Sequence, residues 1–107
     1  MNLPTIIAAL VQAQNNLDYK AYADCFIDEA IVHDEGHVHQ GKVEIREWIK
    51  QANAKYQTQM KPLSISQTGN YAILKAEVSG TFDVSPVVLN YHLELSCDLI
   101  SSLKVTG

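Results

Sequence analysis

Basic side chains are scarce in this chain, which has eight Lys and Arg residues against twelve Asp and Glu, a formal net charge of −4. A protein that binds nucleic acid needs a surplus of cations, because its affinity comes largely from displacing the counterions of the phosphate backbone. The charge balance therefore argues against a nucleic-acid partner.

Cysteine is scarce as well, and long apolar runs are absent. Two cysteines, Cys25 and Cys97, are too few for a disulfide framework and do not have the spacing of metal ligands. No segment approaches the roughly 20 apolar residues that a membrane helix requires. Residues 1–17 carry no charge and therefore lack the basic region that opens a signal peptide. We expect a cytoplasmic protein with no membrane partner.

What the chain does contain is typical of a small folded domain. Apolar residues make up 47% of the 107 residues and charged residues 19%, which excludes a disordered tail and a fibrous repeat. The length predicts one domain, residues 1–107, with a modest core.

Three helices are predicted in the first half. Asn2 as N-cap, Pro4 in the first turn and apolar residues at helical spacing predict a helix over residues 3–14. Asp18 predicts the N-cap of a short second helix. The third helix, over residues 43–54, has the clearest apolar stripe. That stripe consists of Ile45, Trp48, Ile49 and Ala52.

The remaining segments alternate as strands do. A hairpin is predicted from residues 30–34 and 37–40, with Glu35 and Gly36 as its turn. Four further strands follow, and the second of them is expected over residues 72–84. Helices first and a meander last predict an α+β fold, with the helices on one face of a curved antiparallel sheet.

The outer face of that sheet is less polar than a face open to water. Tyr71, Ile73 and Val88 are in the outward register, and the nearby Asn90 and His92 are uncharged near neutral pH. This pattern predicts a homodimer through the convex face, since symmetric dimers are the commonest oligomers. Scattered surface apolar residues are the alternative.

One stretch is more specific than a periodic pattern. Residues 24–50 read D-C-F-I-D-E-A-I-V-H-D-E-G-H-V-H-Q-G-K-V-E-I-R-E-W-I-K. In order, it has a Phe closing a helix, D-E-A-x-V-x-D, a hairpin, a Gly and I-R-x-W. This order of features resembles the nuclear transport factor 2-like superfamily. Within it, the chain is most similar to SnoaL-like polyketide cyclases and ketosteroid isomerase. The resemblance implies a cystatin-like cone, in which three helices close over a bent sheet and enclose an apolar cavity.

The resemblance also implies a catalytic carboxylate at Asp34. This residue shares strand parity with Val32, so both are expected to point inward, while Ile31 and His33 point outward. A carboxylate in a dry pocket is a stronger base because burial disfavours its charged form. It can remove a proton beside a carbonyl if a second group, here Tyr91, stabilises the enolate oxygen.

The chain departs from ketosteroid isomerase at the oxyanion donors. The isomerase's first donor, a Tyr, corresponds here to Leu10, which has no hydrogen to donate, and its second donor falls near Tyr91. Steroid isomerase activity is therefore not expected. His37 or His39 is predicted as a proton shuttle at the cavity rim. The predicted lining of the substrate cavity consists of Leu10, Tyr22, Val32, Trp48 and Phe82.

Three functions remain open at this point. The first is an isomerase, cyclase or hydratase that acts on a small apolar, carbonyl-bearing molecule without a cofactor. The second is a non-catalytic module that binds such a molecule, and the third is an interaction protein whose cavity is filled by side chains. A metal site at His33, His37 and His39 is weighed and set aside, because His33 has the opposite parity to Asp34.

Overall fold

The computed structural model describes residues 2–34 and 36–107, and within them the helices and strands follow the predicted order. The elements are α1 Thr5–Asn15, α2 Tyr19–Ala23, β1 Phe26–Asp34, β2 His37–Gln40, α3 Lys42–Tyr56, β3 Gln59–Thr68, β4 Tyr71–Ser79, β5 Val87–Ser96 and β6 Leu99–Thr106. The predicted turn residue Glu35 lies outside the described residues. None of the helices in the described part of the chain is both long and apolar enough to cross a membrane.

The strands form one curved sheet in the order β2-β1-β6-β5-β4-β3. The four C-terminal strands make the predicted antiparallel meander. The predicted curved sheet is mixed and not antiparallel throughout, because β1 pairs with β6 in parallel. Parallel neighbours need a long crossover connection, and here α3 and the meander together provide it. Register shifts in β1, β3 and β5 bend the strands and support the curvature of the sheet.

The two N-terminal helices, α1 and α2, differ in how their first residues are capped. Helix α1 begins at Thr5, not at residue 3, and Pro4 is its N-cap with no side-chain cap. Asn2 is therefore not the cap that the sequence predicts, because a residue before proline is disfavoured in the helical region and Leu3 stays outside the helix. Asp18 does cap α2, since its Oδ1 accepts a hydrogen bond from the Ala21 N–H at 3.0 Å.

Two strand boundaries also differ from the prediction. Strand β1 already begins at Phe26, which therefore opens a strand and does not close α2. Strand β4 ends at Ser79 and does not reach residue 84. The chain leaves the sheet there to satisfy the last carbonyls of α3: Thr81 N–H donates to the Tyr56 carbonyl at 2.7 Å, and Thr81 Oγ1 donates to the Lys55 carbonyl at 3.0 Å.

The core lies between the helices and the inner face of the sheet. Its largest fully buried side chains are Tyr22, Phe26, Ile7, Leu10, Ile45, Leu74, Leu93, Ile100, Leu103 and Val32. The inward side chains of β4 and β5 follow the predicted period of two, as Ala72, Leu74, Tyr91 and Leu93 show. The helices leave the space beside α3 incompletely filled.

Candidate functional site

A cavity of about 930 Å³ opens between α3 and the inner face of the sheet. Its apolar wall includes Trp48, Ile49 and Ala52 from α3 and Val78, Phe82 and Leu89 from the opposite side. This volume is in the range of pockets that hold small organic molecules. The interaction-protein hypothesis required a cavity filled by side chains, whereas this cavity is open.

Asp34 reaches this cavity from the end of β1. The strand's period of two turns Val32 and Asp34 to the same side, and Val32 is fully buried while Asp34 is partly buried and lines the cavity. His33, between them, is exposed. The charge of Asp34 acts on three neighbouring groups, namely Tyr22, Tyr91 and His39.

Two buried tyrosines line the same cavity as the carboxylate. Tyr22 is 2% exposed and Tyr91 7% exposed, and both line the cavity. Burial raises the pKa of both phenols well above the ordinary value of 10.0, and the negative charge of Asp34 raises it further. Both hydroxyls therefore stay protonated at neutral pH, as hydrogen-bond donors and not as bases.

His39 forms the rim of the site on β2. Its ring stacks on Trp48 with centroids 5.0 Å apart and planes 23° apart. Burial lowers the pKa of His39 and His37 lowers it further, while Asp34 and Glu44 oppose them. A neutral imidazole both donates and accepts, so His39 can pass a proton at this rim.

His37 lies at the mouth of the cavity. It is the cross-strand neighbour of Asp34 in the β1–β2 hairpin, and its side chain is exposed. Among residues 2–34 and 36–107, no three His, Cys, Asp or Glu side chains are grouped as a metal site would need. Cys25 is also unsuited to chemistry here: burial and the nearby Asp24 raise the pKa of its thiol to about 11, so it stays protonated.

The profile of the SnoaL-like domain matches residues 7–98. This chain belongs to the SnoaL-like domain family. The motif of residues 24–50 lies wholly inside the match, and the resemblance stated from the sequence is confirmed. No curated protein matches the sequence of this SnoaL-like chain.

Solved structures agree with the family. A candidate polyketide cyclase from Sinorhizobium meliloti has a TM-score of 0.93 and 34% identity, with 97% of this chain and 95% of that chain covered. A protein of ketosteroid isomerase-like fold from Catenulispora acidiphila, bound to trimethylamine, has a TM-score of 0.89 and 17% identity over 99% and 87% of the chains. A cystatin-fold protein from Novosphingobium aromaticivorans has a TM-score of 0.86 and 22% identity over 100% and 99%.

The SnoaL-like domain brings most of the predicted site residues together. Asp34, His37 and Tyr91 line the cavity. So do three of the five predicted binding residues, Tyr22, Trp48 and Phe82. Leu10 and Val32 do not line the cavity as predicted, because both are 0% exposed and belong to the core behind the cavity wall. Their apolar spacing correctly indicates burial, but spacing alone does not separate a cavity wall from the core behind it.

Two polar residues of the cavity were missed in the sequence. Gln14 and Asn53 are both buried, and Gln14 Nε2 donates to Asn53 Oδ1 at 2.9 Å. Asn53 lies four residues after Ile49, on the apolar face of α3. A lone amide on an otherwise apolar helix face was the only sequence signal for this pair.

The raised tyrosine pKa values predict that the SnoaL-like domain loses stability above pH 10. There the unfolded chain releases phenol protons that the folded chain keeps, so unfolding becomes more favourable as the pH rises. Each buried tyrosine contributes a slope of up to about 1.4 kcal/mol per pH unit. Urea denaturation from pH 9 to pH 11.5 measures it. The double variant Tyr22→Phe/Tyr91→Phe should flatten the slope, and the exposed Tyr71→Phe should keep it. An unchanged slope in the double variant contradicts the prediction.

Proposed function

We propose that this SnoaL-like domain removes a proton from carbon beside a carbonyl group, as isomerases and cyclases do. The substrate is a small apolar molecule that binds in the cavity next to Asp34. The observation that carries the proposal is the Asp34 carboxylate in one largely apolar cavity with two buried, protonated tyrosines. The structural similarity to a candidate polyketide cyclase at 34% identity supports the same class.

Asp34 is the general base in this proposal. Its carboxylate takes the proton, the C–H electron pair becomes the enolate, and the negative charge moves to the carbonyl oxygen. Tyr91 donates a hydrogen bond to that oxygen, and one such donor typically lowers the barrier by about 3 kcal/mol. Tyr22 lines the same cavity with a protonated hydroxyl and is the candidate for a second donor, a role that Leu10 cannot fill.

The enolate then has two outcomes. In an isomerisation, protonated Asp34 returns its proton to a different carbon, so that only the double bond moves. In a cyclisation, the enolate carbon attacks a second carbonyl of the same molecule, a C–C bond forms, and the new alkoxide takes the proton from Asp34. His39 or the exposed His37 exchanges protons between the site and water.

Deuterium exchange tests the proposal directly. The probe is 4-phenylcyclohexanone in D₂O, and its α-hydrogens are followed by ¹H NMR with and without the protein. Exchange faster than in buffer supports the proposal, because enolisation precedes both outcomes. Exchange at the buffer rate contradicts it. If the ketone still raises the melting temperature in that case, the result favours the non-catalytic binding module.

We also propose that two copies associate through the outer face of the sheet. Tyr71 and Val88 are 46% and 41% exposed there, and Tyr71 Oη lies 3.3 Å from His92 Nδ1. This outer face carries both Lys and Glu side chains, so it is able to match a second copy of itself. Sedimentation velocity should give twice the chain mass of 11.9 kDa. Val88→Lys should yield monomer, while Val43→Lys, at an exposed position of α3 on the other side of the sheet, should not; a monomeric parent protein contradicts the proposal.

A further inference from the structure

The cavity has a second polar place, away from Asp34. Helix α3 carries Asn53 on its buried face with 6% exposure, and Gln14 of α1 packs beside it with 4% exposure. Gln14 Nε2 donates both to Asn53 Oδ1 at 2.9 Å and to the Thr58 carbonyl at 3.0 Å. All three residues line the cavity.

These bonds fix which way the Asn53 amide faces. The Thr58 carbonyl can only accept, so it orients Gln14 Nε2 as a donor, and Gln14 in turn requires the oxygen of Asn53 on its side. The Nδ2 of Asn53 must then face away from Gln14. It is buried and has no hydrogen-bond partner among residues 2–34 and 36–107. Buried donors are almost always paired, so this exception points to an acceptor that the chain itself does not supply.

We propose that Asn53 Nδ2 donates a hydrogen bond to an oxygen of the bound molecule, with Gln14 as its positioning residue. This inference rests on the proposed function, because it places a second anchor on the same ligand. The first anchor is the carbonyl, which accepts a hydrogen bond from the Tyr91 hydroxyl with its α-carbon next to Asp34. The second is an acceptor oxygen at Asn53, and the apolar side chains between them contact the carbon skeleton.

The two anchors lie on different elements of the cavity wall, with Asp34 on β1 and Tyr91 on β5 for the first and Asn53 on α3 for the second. The ligand class is therefore a compound with two acceptor oxygens separated by an apolar carbon skeleton, such as an aryl or alicyclic diketone.

The charges around the cavity restrict the ligand further. Asp34, Glu44 and Glu47 are negatively charged residues of its lining. Among the described residues, Lys55 is the one Lys or Arg that lines it. An anionic ligand would meet net repulsion at close range. The group that binds beside Asp34 is therefore a neutral carbonyl, not a carboxylate or a phosphate.

NMR titration with two probes tests the inference. One is 4-phenylcyclohexanone, and the other is 4-(4-acetylphenyl)cyclohexanone, which adds an acceptor oxygen at the far end. We expect the diketone to bind about three- to tenfold more tightly, the usual range for one added hydrogen bond. The side-chain amide protons of Asn53 should shift with the diketone and much less with the monoketone.

Variants assign the preference to the amide. Asn53→Leu should bind the two probes equally. The double variant Gln14→Leu/Asn53→Leu, in which both hydrogen-bond partners become apolar together, protects the fold and should give the same result. Gln12→Leu, an exposed amide on α1, is the matched control and should keep the preference.

The outcomes separate this inference from the proposed function. If the diketone is preferred and Asn53 responds, but no deuterium exchange occurs, the second anchor stands and the base chemistry fails. If exchange occurs while both probes bind equally, the anchor is wrong and the base chemistry stands. If neither probe moves the methyl signals of Ile49 and Val78 in the cavity, the ligand class is wrong and the inference is overturned.

Discussion

Replacing Asp34 by Asn should reduce deuterium exchange of a bound ketone by a factor of about 10² to 10⁴, the usual contribution of a positioned general base. The amide keeps the shape of the side chain but cannot accept the proton from carbon. The melting temperature should stay unchanged or rise, because a partly buried negative charge is removed. ¹H NMR in D₂O and thermal denaturation of the same samples measure the two quantities.

The matched control is Asp28→Asn on the same strand. Asp28 is exposed, and its carboxylate lies 3.7 Å from Lys42 Nζ, a surface pair that contributes little to stability. This variant should exchange the ketone at the parent rate. If Asp34→Asn also keeps the parent rate, Asp34 is not the base. If instead it fails to fold, Asp34 has a structural role, and the catalytic assignment loses its support.

The second large effect is expected at Gly80, just after β4. A Cβ at this position would lie 2.5 Å from the Tyr56 carbonyl oxygen and 3.1 Å from Phe82 Cε1. That carbonyl is backbone at the end of α3 and accepts the hydrogen bond from Thr81 N–H, so it cannot move without breaking the contact. Gly80→Ala should therefore lower the free energy of unfolding by about 2–3 kcal/mol, as overpacking does elsewhere.

Urea denaturation measures this loss, with Gly107→Ala as the matched control. A Cβ at Gly107 meets no atom within 4 Å, so the control should be close to neutral. The Gly80 substitution also displaces Phe82 and its edge contact with Tyr56, whose rings are 6.1 Å apart. Phe82 lines the cavity, so ketone affinity should fall as well. Equal stability of the two alanine variants would show that the end of β4 is free to shift.

Local sequence was sufficient for much of the fold and for the position of the carboxylate. The period of two along β1 correctly turns Asp34 to the same side as Val32, because alternation in a strand depends on the backbone alone. The turn at Cys97 and Asp98 was also readable, and both residues adopt the positive φ of a tight hairpin. The motif of residues 24–50 led to the right family.

Tertiary structure decided the features that depend on distant partners. The parallel pairing of β1 with β6 joins residues some 70 positions apart, and no local pattern encodes which strand becomes a neighbour. Strand β4 ends at Ser79 because the carbonyls of Lys55 and Tyr56 bind Thr81. The apolar alternation continues through residue 84, so the pattern alone predicted too long a strand.

The same reason separates the site residues that were found from those that were not. Leu10 and Trp48 both carry the periodicity of a buried helix face, yet one packs in the core and the other against the cavity. Only the placement of the helices over the sheet decides between these two environments. Gln14 and Asn53, 39 residues apart, are each ordinary amides in the sequence. Their hydrogen bond exists because the fold brings the C-terminal parts of α1 and α3 together, and it leaves Asn53 Nδ2 buried without a partner among the described residues.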